Sequence, residues 1–261
     1  MNKKQKTWER DDYYKKAKEA SLESSYPGLQ LIKEEVGKAE KVLEVGCGEG
    51  TKLAKLTSEK NKAFGVDISK KAIKLAEKQY PNIQFRIADA ENLPFSKAGF
   101  DLVFSAFMLE HTINPEKVIN EMIRVAKPGG KVIILAPNYG APNRASPCFK
   151  GLRIRKLILG FIKDIFSLGF SQKRLNWGKV KPLADKGEYE IDWDTSIEPY
   201  LRSLRDYLSE KKLRICRTTS YWQEIKEDLN FIQTIFKFLG RLRIYPFVYW
   251  GPHLLVSVEK L

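Results

Sequence analysis

The run Val42-Leu43-Glu44-Val45-Gly46-Cys47-Gly48-Glu49-Gly50 constrains this chain more than any other stretch. Residues suited to a buried strand pass into three alternating glycines and then, from Thr51, into a helix-forming segment. Glycines let the backbone turn sharply and let a ligand approach where a Cβ would collide. The same rhythm continues downstream. Strands are expected at 41–45, 63–66, 83–87, 100–105 and 131–136, and helices at 51–59, 70–79 and 115–126. Ser69 is placed to cap the second of these helices, and Pro128-Gly129-Gly130 to end the third. Such alternation gives an α/β fold, a Rossmann-like doubly wound sheet that is mostly parallel with helices on both faces.

Outside that core the texture changes. Residues 1–40 suggest two polar cap helices, at 8–24 and 29–38. An amphipathic helix over 197–210, a strand at 213–218 and a final strand at 253–259 resume the α/β pattern. The expected organisation is one domain over 1–261. Its core is formed by 41–137, 196–221 and 253–261, with insertions at about 138–195 and 222–252.

Composition narrows the function. The chain has 46 Lys+Arg against 32 Asp+Glu, a net charge of +14, so some face should attract anions. Ten of those bases and a single acid lie within 144–181, whereas 185–198 is acidic. Three scattered cysteines, Cys47, Cys148 and Cys216, build neither a disulfide framework nor a zinc module. No apolar leader and no run of 18 apolar residues is visible, so a cytoplasmic protein is expected.

The glycine loop has the wrong spacing for a dinucleotide fingerprint and lacks the Gly-Lys-Ser/Thr of a P-loop. Glu44 and Glu49 flank it with negative charge, which suits a cationic ligand better than a pyrophosphate. Asp67 ends the next strand, where a carboxylate can accept from ribose hydroxyls, and Asp89 follows the third. Taken singly, each would be a helix cap or a solvated turn; together they mark one sheet edge.

These stretches resemble the class I S-adenosylmethionine-dependent methyltransferases, in particular the small-molecule, quinone-biosynthesis-like branch (methyltransferase type 11). The matching segments are VLEVGCGEG, VDIS at 66–69, ADAENLPF at 88–95, FDLVFSAFMLEH at 100–111 and VAKPGGKVIILAP at 125–137. HLLVSVEK resembles the family's antiparallel last strand. The resemblance implies S-adenosylmethionine as cofactor, with S-adenosylhomocysteine as product. It implies that Gly46, Gly48 and Gly50 shape the loop around the methionine portion, with Glu44 near its ammonium. Asp67 would bind the ribose and Ile68 pack on the adenine, while Asp89 and Ala90 would read the adenine edge. Ser105 and Phe107, taken as just past the fourth strand, would sit near the transferred methyl group.

His111 is the candidate general base; its bland alternative is a helix cap or backbone hydrogen bond. His253 is expected to be structural, Cys47 inert, and no metal site is expected. The insertions leave the acceptor open. Residues 154, 157, 158, 161, 162, 165 and 168 form one apolar stripe, and Phe231, Ile232, Ile235, Phe236 and Leu239 a second. Three readings compete: a packed substrate lid, a peripheral contact with an anionic membrane through 150–170, and an RNA-binding surface. Trp177, Trp193, Trp222 and Trp250 are candidates for aromatic walls around a small-molecule or lipid-linked acceptor. The alternatives to small-molecule methyl transfer are RNA methylation and a non-catalytic, methyltransferase-like module at a membrane.

Overall fold

The computed structural model describes residues 7–8, 10–23, 26–166, 174–183, 189–222 and 229–261. Its sheet contains β1 (Lys41–Val45), β2 (Lys62–Asp67), β3 (Gln84–Ile87), β4 (Phe100–Ala106), β5 (Ala126–Pro137), β8 (Leu213–Thr219) and β9 (His253–Lys260). A separate two-stranded ribbon joins β6 (Gly178–Lys179) to β7 (Ile197–Glu198). The helices are α1 (Asp11–Glu23), α2 (Pro27–Val36), α3 (Thr51–Leu56), α4 (Lys70–Gln79), α5 (Pro115–Val125), α6 (Arg153–Phe166), α7 (Leu201–Ser209) and α8 (Phe231–Arg241).

The strand order is β3-β2-β1-β4-β5-β9-β8. All neighbours are parallel except β9, which is antiparallel to β5 and β8. Because a strand's side chains alternate between faces and helices cover both, the central strands are mainly apolar on each face. In β1, Leu43 and Val45 pack on one face with α5 and α7, while Val42 packs on the other with α2, α3 and α4. β3 is an edge strand with only Phe85 buried, which accounts for its shortness.

Two expected boundaries move. β5 begins at Ala126 rather than 131, because Pro128-Gly129-Gly130 does not end the strand pairing but interrupts its register between Phe100 and Leu102. The helix expected from Ile197 starts at Leu201 instead. Pro199 disfavours helical backbone at Glu198, and Ile197–Glu198 pairs with Gly178–Lys179. Ser69 does cap α4, its hydroxyl accepting from the Ala72 N–H.

The insertions place both apolar stripes mostly outward. Ile154, Ile158 and Ile162 of α6 are exposed, as are Phe231, Ile232 and Ile235 of α8; position 168 lies outside the described residues. Among the described residues, no helix is long and apolar enough to cross a membrane.

Candidate active site

The carboxyl ends of β1 to β5 and the start of β9 surround a cavity of about 470 Å³. This edge is open because each parallel strand hands its chain to a loop there, as is usual for ligand sites in such sheets. Gly46, Gly48, Asp67, Ile68, Asp89, Ala90, Phe107 and His111 all line the cavity.

The floor is the glycine loop. Gly46 has φ +77°, and a Cβ on it would lie 2.2 Å from Met108 Cγ, so no side chain fits. Gly48, with φ +55°, differs: a Cβ there would meet nothing within 4 Å. Its N–H donates to Asp67 Oδ2 at 2.9 Å, while the Ser69 N–H donates to the other oxygen at 2.9 Å. Two backbone donors thus fix the Asp67 carboxylate at the rim. Burial nevertheless raises its pKa, against the opposing pull of those donors.

Three expected positions lie outside the lining. Glu44 is fully buried beneath the loop. Gly50 is turned toward Phe85, whose Cζ would lie 2.8 Å from its Cβ. Ser105 lies within β4, not beyond it, and is fully buried with its hydroxyl unpartnered. Phe107 is the residue that leaves the strand, at φ +59°. Asp89 lines the cavity, but its Oδ1 also accepts from the Glu91 N–H at 2.8 Å, the local turn bond that an isolated aspartate favours.

Glu44 has no hydrogen-bond partner on either oxygen, and Lys52 Nζ stands 4.0 Å away. Burial pushes its pKa up to about 8, with Lys52 opposing and Glu49 and Asp67 adding to the rise. The folded protein therefore holds a proton here that the unfolded chain releases near its ordinary pKa of 4.5. Unligated stability should fall as pH rises from about 5 to about 8, by at most roughly 1.4 kcal/mol per pH unit for this group. Glu110, pushed up to about 7 by burial, adds to the same trend. Thermal melts across pH 5–9 should show that decline, and Glu44→Gln should flatten it; parallel wild-type and variant curves would contradict the assignment.

The roof was the less legible part. Trp8, Tyr13 and Tyr14 enter from the N-terminal segment, and Tyr189, Ile191 and Asp192 from the acidic insertion. Tyr14 donates to Ser69 Oγ at 2.7 Å, and Trp8 Nε1 to Asp194 Oδ2 at 2.9 Å. Tyr189 donates to Asp194 Oδ1 at 2.9 Å, and Tyr139 to Asp192. The aromatic wall is thus made mainly of tyrosines. Trp177, Trp193, Trp222 and Trp250 lie outside the lining, and Trp177, Trp222 and Trp250 are buried in packing. The acidic stretch also does more than offset its basic neighbour. Asp192 and Asp194 come to His111 across about eighty residues of chain, and the only hint in the sequence was the run of acids itself.

His111 lies between carboxylates. Its Nδ1 is 3.3 Å from Asp194 Oδ2 and its Nε2 3.8 Å from Glu110 Oε1. Burial lowers the imidazole pKa, but Asp194, Glu110 and Asp192 outweigh it, so the net direction is upward. Neither Glu110 oxygen has a hydrogen-bond partner. One donor atom each from Glu110, His111 and Asp192 lies within 4.8 Å of the others, a cluster of cation-binding type that the sequence did not suggest. Cys47 is buried and its thiol pKa is pushed up by that burial, which leaves it unreactive.

Residues 43–134 match a family described as methyltransferase domain. That segment belongs to the class I S-adenosylmethionine-dependent methyltransferases. Its relatives include the demethylmenaquinone methyltransferase of Paenarthrobacter aurescens, 35% identical over 95 residues. That match covers 36% of this chain and 38% of the relative, so the chain spans well under half the relative's length. Norajmaline N-methyltransferase of Rauvolfia serpentina is 29% identical over 204 residues, covering 74% of this chain and 68% of its own. Among solved structures, an S-adenosylmethionine-dependent methyltransferase from Mesorhizobium loti superposes with a TM-score of 0.54 at 17% identity. That superposition covers 90% of this chain and 96% of the other. At that identity the likeness concerns the fold alone.

Proposed function

We propose that this methyltransferase transfers a methyl group from S-adenosylmethionine to a small organic acceptor held in the tyrosine-lined half of the cavity. The observation that carries the reading is the cradle at Gly48, where the loop offers open space above a fixed aspartate. Buried Glu44 beneath the same loop has no hydrogen-bond partner and holds a proton in the unligated protein, and a bound cation would favour its ionised form as a counter-charge. Gly46 and Gly48 would admit the methionine portion, Asp67 would take the ribose hydroxyls, and half-exposed Ile68 with Ala90 would flank the base. When bound, that cofactor supplies an electrophilic methyl group on a sulfonium.

The chain's own residues would do the rest. Trp8, Tyr13, Tyr14 and Tyr189 would exclude water and orient the acceptor, since in-line placement is the main requirement. His111, with Glu110 beside it, would take a proton from an acceptor that is still protonated. The quinone-ring substrate implied by the name of the Paenarthrobacter relative favours a small molecule over RNA. The aromatic cavity agrees with that preference.

Isothermal calorimetry with S-adenosylhomocysteine should show one site per chain. Incubation with methyl-labelled cofactor and a panel of phenols, quinols and amines should then give a labelled product. A folded protein that binds neither form of the cofactor contradicts the reading.

A further inference from the structure

We propose that α6 and α8 form a face that binds an anionic lipid bilayer. Both helices turn large apolar side chains to water. On α6 two charged side chains, Asp164 and Lys156, point inward. Asp164 is buried and accepts from Trp250 Nε1 at 2.8 Å, with Arg202 3.3 Å away. Lys156 donates to Glu198 Oε2 and to the Tyr139 carbonyl, both at 2.7 Å. The apolar side chains point out: Ile154 is 62% exposed, Leu159 53% and Phe166 78%. A helix that faced only water would present the opposite pattern.

α8 also turns apolar side chains outward, while its inward side is apolar too. Its inward face carries Phe236, set on Trp250 at 5.3 Å, and Gly240, whose missing Cβ leaves room for Trp222. Outward stand Phe231, 80% exposed, Ile232 and Phe238. The two helices share one aromatic seat, because Phe161 of α6 also meets Trp250, at 6.0 Å. Their exposed faces therefore flank a single anchoring point. Apolar surface on this scale marks an interaction site in a water-soluble fold.

Charge selects the occupant. The only acid in either helix is Asp164, and it is buried. Arg153, Arg155, Arg241 and Arg243 are exposed on or beside the apolar faces. Apolar side chains ringed by bases match the acyl–headgroup boundary of an anionic bilayer. Exposed isoleucine and leucine, which outnumber the aromatics here, offer a nucleic acid no face on which to stack. The seat also adjoins the cavity, since Tyr139 lines it and its carbonyl is held by Lys156 of α6. Resting on the methyl-transfer reading, this would make the acceptor a bilayer-dissolved molecule; the lipid contact itself does not depend on that reading.

Flotation with vesicles of phosphatidylcholine containing 30% phosphatidylserine tests the proposal. The full chain should float with these vesicles at least tenfold more than with pure phosphatidylcholine. The double variant Ile158→Glu/Phe238→Glu should lose at least tenfold of that binding with its melting temperature and S-adenosylhomocysteine affinity unchanged. Arg153→Gln/Arg155→Gln should weaken binding and reduce its salt sensitivity. A folded protein that stays in the aqueous fraction overturns the proposal. So does a stable dimer in sedimentation equilibrium that the double variant dissociates, or binding to single-stranded RNA in preference to vesicles. Calorimetry on the same sample separates either failure from loss of cofactor binding.

Discussion

Gly48→Val should lower affinity for S-adenosylmethionine and S-adenosylhomocysteine by at least about a hundredfold while the protein stays folded. The two halves of that expectation have different causes. No protein atom lies within 4 Å of the position a Cβ would take, so the folded chain itself offers no clash. The cost is confined to holding a branched residue at φ +55°, about 1–3 kcal/mol. For a chain of this size that corresponds to a melting point lower by only several degrees. The added methyls instead occupy the space above the loop, where the proposed cofactor would lie against the Gly48 backbone. Gly46→Ala is the contrasting case. Its Cβ would lie 2.2 Å from Met108 Cγ, so Met108 or the loop must shift and the fold itself should suffer. Calorimetry paired with thermal melts distinguishes the two. If Gly48→Val bound the cofactor normally, the space above the loop would have some other purpose.

The contrast also shows what a sequence can and cannot display. Strand–glycine–helix punctuation is local, so β1, its loop and the acid closing β2 were visible from residue order alone. So was the sheet, because alternating apolar runs admit few arrangements. The direction in which a side chain leaves a loop is not local. Glu44 and Gly50 stand within two residues of lining positions yet face away, one into the interior and the other toward Phe85. Ser105 missed the cavity because it lies within β4 with its side chain fully buried, not past the strand's end. Asp194, held by Tyr189, reaches His111 and Trp8 from a segment far along the chain, and no short-range pattern announces such a meeting. The stripes of α6 and α8 have helical period in the sequence, but the period is silent on which face is buried. Asp164 decides it, by finding Trp250 and Arg202 inside.

The second large effect is expected at His111. His111→Gln should reduce kcat by about a hundredfold or more, within the range for loss of a general base. Cofactor affinity should stay within about threefold, because the cradle at Gly48 and Asp67 is untouched. The imidazole and the Glu110 carboxyl face each other at 3.8 Å and titrate as a pair. Glu110 is pushed up to about 7 by burial, and His111 is raised by Asp194, Glu110 and Asp192 acting against burial. A base must be unprotonated to act, so kcat/KM should climb with pH along a limb displaced above the ordinary imidazole range. Asp194→Asn removes the carboxylate 3.3 Å from Nδ1, lowers the imidazole pKa, and should shift that limb toward acid. Trp8 and Tyr189 also lean on Asp194, so a melt must first show the roof intact in that variant. A purely structural histidine would lower kcat without moving the limb. If the limb stayed fixed in Asp194→Asn and His111→Gln kept its rate within threefold, the acceptor would be one that surrenders no proton. The carboxylates around the imidazole would then serve only to bind the roof together.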